Sequence, residues 1–178
     1  MSSLLVEGVS FLVPVRNGAR WLPDVLQAIL AQDCRVRTEV VVVEDGSRDQ
    51  TAEILARASA DPRLRVIQGP RRGAAAALNA GLEHARYPVI AQVDQDVVLE
   101  PGWLAALLPH LRDEAVAAVQ GYYVTDSGAS LGARVMGLDL EQRYARIEGN
   151  VTDHVCTGNA LYRASALASI GGFDDSLG

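Results

Sequence analysis

"TEVVVVEDGSRDQTAEI", residues 38–54, decides how this chain is organised. Its first seven residues (38–44) form a β-branched run without polar alternation. A strand with one wet face alternates apolar and polar residues, so a run this uniform predicts a strand covered on both faces, as in a parallel sheet beneath helices. The turn residues Asp45, Gly46 and Ser47 follow. Ser47 and Gln50 then have the spacing of a capping box, which predicts a helix over about 48–60.

The same alternation extends in both directions. "VSFLVPV" (9–15) reads as a buried strand, and "WLPDVLQAILAQ" (21–32) places Trp21, Leu22, Val25, Leu26, Ile29 and Leu30 on one helical face. Downstream come a strand at 64–68, an alanine-rich helix over 73–86 and a strand at 87–94. A helix over 101–111, with proline in its first turn, and a strand at 115–124 follow. Beyond Thr125 the pattern predicts a loop at 126–132, a helix over 131–147, a strand at 154–163 and a short helix at 164–170 before Gly171-Gly172. The prediction is an α/β chain with an open, mostly parallel sheet and helices on both faces. The last residues, "FDDSLG", bring no closing element, and the end reads as an interruption.

Composition excludes several classes. The chain has 178 residues, of which 49% are apolar, enough for one domain with a sizeable core. The 22 acidic residues outnumber 16 basic ones, all arginine, for a net charge of −6. No basic stripe invites nucleic acid. Cys34 and Cys156 have no metal or redox spacing and are expected to be reduced core thiols. His84, His110 and His154 are scattered, no stretch reaches the ~20 apolar residues of a membrane span, and the first residues lack the basic region and apolar run expected of a leader. A cytoplasmic location is expected, with membrane association left to any longer parent.

Ligands of open α/β sheets sit beyond the carboxyl ends of the strands. Four unusual segments fall there: "PVRNG" (14–18), "EDGSRD" (44–49), "GPRRG" (69–73) and "DQD" (94–96). Any one of them is an ordinary turn in isolation. Asp94 and Asp96 add a physical problem, because Val89, Ala91 and Val93 claim one face of the strand and send both acids to the other. Like charges ~5 Å apart at an effective dielectric of ~20 repel by roughly 3 kcal/mol. A divalent cation, Mg²⁺ or Mn²⁺, turns that repulsion into coordination, with a phosphate completing the shell.

These segments together resemble family 2 glycosyltransferases, which are inverting enzymes of the Rossmann-like GT-A fold. "FLVPVRNGARWL" is similar to that family's opening strand and turn, "VVVEDGSRDQTAEI" to its Asp-Gly-Ser signature with Glu44 in place of an Asp, and "RRGAAAALNAGLEHA" to its Arg-Gly helix. "VIAQVDQDVVLEPGWL" carries the acidic pair, and "CTGNALYRASALASIGGFDD" resembles the later acceptor-side segment. The resemblance implies that Pro14, Val15, Arg16 and Asp45 hold the nucleobase, with Arg72, Gly73 and Asp94 near the rest of a UDP- or GDP-sugar. Asp94 and Asp96 would hold the metal, and Gly158 and Asn159 would face the donor sugar or an acceptor that is a glycan, a lipid or a small molecule.

It also implies an arrangement for residues 1–178: a nucleotide-sugar half over 1–125 and the start of an acceptor half over 126–178. The family's acidic base follows a segment like "GGFDD" and would lie beyond Gly178, so neither Asp174 nor Asp175 is assigned to catalysis. Ala74 stands where relatives often carry a polar residue. The competing readings are a sugar-nucleotide pyrophosphorylase, which needs a glycine-rich phosphate loop after the first strand, and a dinucleotide oxidoreductase, which needs G-x-G-x-x-G there. "VPVRNGAR" supplies neither. A nucleotide-sugar-binding module without activity, or an inactive fragment of a longer enzyme, is the remaining alternative.

Overall fold

The computed structural model describes residues 7–33, 35–125, 128, 131–145, 151–152 and 154–176. The expected sheet is present. Its strands are β1 (Gly8–Val15), β2 (Arg37–Glu44), β3 (Leu64–Gln68), β4 (Val89–Val93), β5 (Ala118–Gln120) and β6 (Asn159–Arg163), in the order β3-β2-β1-β4-β6-β5. β3, β2, β1 and β4 are mutually parallel, whereas β6 runs antiparallel to both β4 and β5. The connection order reverses between β1 and β4, and such a switch point opens a crevice at the carboxyl edge of a sheet.

Period-two alternation sorts the core into two layers. Val9, Phe11, Val13 and Val15 of β1 pack under α1 (Leu22–Leu30) and α2 (Thr51–Ala58), against Leu22, Val25, Leu26, Ile29 and Leu55. Leu12, Val41 and Ile90 face the other way, against Leu78 of α3 (Ala74–Leu82) and Leu167 of α6 (Ala164–Ser169). Alanines and Gly81 let α3 lie close to the sheet; a Cβ at Gly81 would stand 3.1 Å from the Val43 side chain.

Several expected boundaries move. The predicted capping box does not form. Ser47 Oγ instead accepts from the Asn17 amide at 3.0 Å, and Asp49 accepts from the Thr51 amide at 3.1 Å, so α2 begins at Thr51. Pro101 precedes the first turn of α4 (Trp103–Leu107), and Pro109, which has no amide hydrogen to continue the helix, is followed into a 3₁₀ turn over Leu108–Arg112. β5 keeps only three residues of the predicted ten, Ala118–Gln120, and the glycine that follows lies where a side chain would collide with Asn159 and Trp103. The helix α5 spans Leu131–Ala145; the predicted positions 146 and 147, and four residues of the 126–132 loop, lie outside the described residues. Cys156 is a free, half-buried thiol rather than a core one, while Cys34 lies outside the described residues. No helix among the described residues is long and apolar enough to cross a membrane.

At the amino edge of the sheet, Glu39 is 4% exposed and serves as a polar hub. It accepts from Ser10 Oγ at 2.7 Å, Arg65 Nη2 at 3.0 Å and the Arg86 amide at 2.7 Å, tying β1, β2, β3 and the approach to β4 together. Removing Glu39 leaves the buried Ser10 hydroxyl and the part-buried Arg86 amide without this acceptor. Glu39→Ala should therefore cost about 2–4 kcal/mol in urea unfolding. Near the α2–β3 turn, hydrogen bonds from the Arg63 side chain and amide depress Asp61 from its ordinary 3.8 to about 2. A depressed carboxyl stabilises the fold above its unfolded pKa and stops doing so as pH falls through the folded one. Asp61→Asn is expected to lower the melting temperature by about 1–3 °C at pH 7, with the difference fading between pH 3.8 and about 2.

Candidate functional site

A cleft of about 250 Å³ opens at the switch point. Pro14, Val15 and Arg16 at the end of β1, Asp45 after β2, Gly73, Ala74 and Ala77 of α3 and its lead-in, and Asp94, Gln95 and Asp96 after β4 line it. Segments distant in sequence meet here because their strands are adjacent or one apart.

The motif residues of the first two connections stitch these loops to each other. The Asn17 side chain accepts from the Arg48 amide at 2.8 Å, Thr51 Oγ1 accepts from the Gly18 amide at 2.9 Å, and Asp49 accepts from the Ala19 amide at 3.1 Å. Asp49 is lowered from its ordinary pKa, first by its hydrogen bond with the Thr51 hydroxyl. Asp45, 3% exposed, accepts from the Arg71 amide at 2.5 Å and the Gly73 amide at 3.3 Å. Those bonds hold Arg71 at φ +59°, a conformation that costs a non-glycine residue roughly 1–2 kcal/mol. Asp45 therefore shapes the loop that leads into α3 and still presents itself to the cleft.

β4 ends at Val93, and the chain turns where the sequence reading kept it extended; the Val97 amide bonds the Asp94 carbonyl at 3.1 Å. Both acids reach the cleft, but by turning rather than by strand alternation. That turn also delivers Gln95, which alternation assigns to the far side. Its side chain accepts from the Arg16 amide at 2.9 Å and donates to the Arg16 carbonyl at 3.3 Å, clamping β1's exit to the acidic turn. Gln95 is the residue missed by the sequence reading, and only the turn geometry reveals it.

Asp94 is raised from its ordinary pKa by burial and then by the Asp96 carboxylate, while a hydrogen bond with Gln92 acts against both. Two carboxylates at one partly buried turn are a donor set that a hard cation fits. Among the described residues no cluster of three or more His, Cys, Asp or Glu could hold a metal by itself. Two carboxylates with the remaining ligands supplied by phosphate oxygens is the arrangement Mg²⁺-like ions favour.

The other expected residues fall nearby. Because β6 is antiparallel to β4, its start lies at the cleft end, with Asn159 paired to Val93. Gly158, at φ +86°, packs so closely on the Asp94 carboxylate that a Cβ there would overlap it. Asn159 is buried; it accepts from Trp103 Nε1 at 2.6 Å and donates to the Tyr122 carbonyl at 3.2 Å, so its side chain is engaged in the core and does not line the cleft. Arg72 does not line it either, since its guanidinium pairs with Asp175 at 3.1 Å. A tyrosine cluster flanks Asp94: Tyr123 donates to the Thr157 carbonyl at 3.0 Å and stacks on Tyr144, and burial raises both phenols, with Cys156 adding to the effect.

Comparison with known proteins agrees with this geometry. The chain is 32% identical over 177 residues to the pre-mycofactocin glycosyltransferase of Mycobacterium tuberculosis, covering 95% of this chain and 36% of that protein. It is 28% identical to an N-acetylglucosaminyltransferase of Mesorhizobium japonicum, over 91% of this chain and 41% of the relative. The chain thus spans between about a third and a half of these curated relatives. In structure it resembles the mannosyltransferase PcManGT from Pyrobaculum calidifontis, solved with GDP-Man and Mn²⁺, at TM-score 0.75 and 28% identity, covering 94% of this chain and 48% of that one. S. aureus TarS 1–349 with UDP-GlcNAc shares the fold at TM-score 0.71 and 18% identity, over 93% and 48%. The Glycosyl transferase family 2 model matches residues 10–171, which take in both carboxyl-edge loops, the acidic turn and the glycine that packs on it, and the chain belongs to that family.

Proposed function

We propose that the cleft binds a nucleoside diphosphate sugar, a UDP- or GDP-sugar, together with Mg²⁺ or Mn²⁺, and that the protein transfers the sugar with inversion to an acceptor hydroxyl. The observation that carries this reading is the convergence of Asp45, Gly73, Asp94 and Asp96 in one cleft at the switch point. The neighbouring mannosyltransferase structure, with GDP-Man and Mn²⁺, supports it.

In this reading Pro14, Val15 and Arg16 flank the nucleobase, Asp45 accepts a hydrogen bond from it, and small side chains at Gly73, Ala74 and Ala77 leave room along α3. Asp94 and Asp96 hold the metal, whose charge stabilises the departing diphosphate more in the transition state than in the ground state. Gly158 keeps Asp94 close to the strand end, and Gln95 keeps the acidic turn against Arg16. Residues 1–125 form the nucleotide-sugar half, and the acceptor half begins at 126.

Inversion needs a base for the acceptor proton. Asp174 is a poor one, because its hydrogen bonds from the Ser176 hydroxyl, at 2.6 Å, and amide lower its pKa. Asp175 is engaged with Arg72. We assign catalysis to neither.

Ligands that bind only the folded state stabilise it. UDP or GDP with Mn²⁺, at a hundredfold excess over Kd, should raise the melting temperature by about 5–10 °C. Asp96→Ala should remove the Mn²⁺-dependent part of that shift, and an unchanged shift would place the site elsewhere. Gly158→Ala tests the packing on Asp94. The left-handed backbone and the overlap together should destabilise the protein by about 1–3 kcal/mol. Titration calorimetry below the melting range should also show weaker Mn²⁺–nucleotide binding, and an unchanged Kd would separate Gly158 from the site.

A further inference from the structure

Arg72 immediately precedes the cleft-lining Gly73, yet its side chain faces Asp175, at 3.1 Å. Both partners are open to water, with side chains 65% and 37% exposed, and ion pairs of this kind are weak and exchangeable. Asp175 is there because of Asn79, in the second turn of α3. Asn79 Nδ2 donates to the Phe173 carbonyl at 2.8 Å, and the Phe173 amide donates back to Asn79 Oδ1 at 2.8 Å. Gly172, at φ +93°, admits this approach, since a Cβ would lie 2.5 Å from Asn79 Oδ1. Phe173 packs edge-on against Tyr162, with ring centroids 5.8 Å apart. One helix thus forms the cleft wall with its first turn and anchors an acidic segment with its second.

We infer that Asp175 and the phosphates of an anionic donor compete for Arg72, and that Asn79 is the positioning residue that keeps Asp175 within reach. The inference rests on the donor reading of the cleft. A carboxylate that occupies the guanidinium satisfies it while the cleft lacks a ligand. A diphosphate brings more charge and can accept a bidentate pair, so it can displace a single solvent-exposed carboxylate. On displacement the acidic segment loses its ionic tie but keeps the Asn79 fork, which holds Phe173 in register on α3.

Titration calorimetry with UDP or GDP and Mn²⁺ tests this on the whole chain, comparing Asp175→Asn, Arg72→Gln and the double variant. Asp175→Asn should tighten nucleotide binding about two- to fivefold, and Arg72→Gln should weaken it. In the Arg72→Gln background, Asp175→Asn should change nothing. Asn79→Ala, with folding confirmed by its melting transition, should move affinity toward the Asp175→Asn value. Unaltered affinity in Asp175→Asn overturns the inference while leaving the donor reading intact. Tightening that persists without Arg72 also overturns it, because that result is a general charge effect. Failure of the unmodified chain to bind either nucleotide removes the donor reading and this inference with it.

Discussion

The buried carboxylate of Asp45 is the contact on which the cleft depends. It sits at the end of β2 and takes two main-chain amides from the loop that begins α3. A buried carboxylate needs partners, and amides that open a loop need acceptors, so one side chain answers both demands. Its bonds hold Arg71 in a left-handed conformation and fix how the loop enters α3, while Leu78 and Gly81 seat the helix on the sheet. Gly73, Ala74 and Ala77 of the cleft wall follow directly from that loop.

Asp94, one strand beyond β1, shows the opposite condition. Burial and Asp96 disfavour its charge, where Asp45 is surrounded by donors. The two acids therefore have different work although the sequence shows both as acidic residues at strand ends. Asp45 organises the loop that leads into α3, whereas Asp94 and Asp96 are the pair to which the proposed reading assigns a cation. Gly158 sharpens the difference. Lacking a Cβ, it leaves the space that the Asp94 carboxylate occupies, so the acid can lie against the strand end.

The parallel part of the sheet was legible because uniform valine runs have only one comfortable place, between two helical layers. The strand-end segments were legible because turns at carboxyl edges gather where ligands bind. What escaped depends on contacts between distant segments. β6 could not be read as antiparallel from its own residues, yet that direction is what brings Gly158 to Asp94. The Ser47–Gln50 spacing looked like a cap, but the Asn17 amide competed for the serine and won. Asn159 has a polar side chain beside a glycine turn, and the core claims it through Trp103. Gln95 is hidden because alternation stops at Val93, and no local signal marks that stop. Arg72 was placed near the ligand by resemblance, and its partner lies 103 residues away.

The electrostatics of the cleft follow from scale. A chain with net charge −6 repels a nucleoside diphosphate at long range. At physiological ionic strength that field fades over about 8 Å, so groups at the cleft dominate what happens inside it. The positive contributions that the proposed reading draws on there are few: Arg16 at the rim, Arg72 once a phosphate displaces Asp175, the amino end of α3 and a cation on the acidic turn. A divalent cation would carry the largest charge of these, and it would offset the repulsion between Asp94 and Asp96. On the proposed reading, metal and donor binding are linked by charge: the acids attract the cation, phosphate oxygens fill its shell, and the phosphate finds positive charge in an acidic protein. On this reading the diphosphate alone would meet the repulsion of the acidic turn, and a cation already held by Asp94 and Asp96 would replace that repulsion with attraction, so the metal strengthens nucleotide binding.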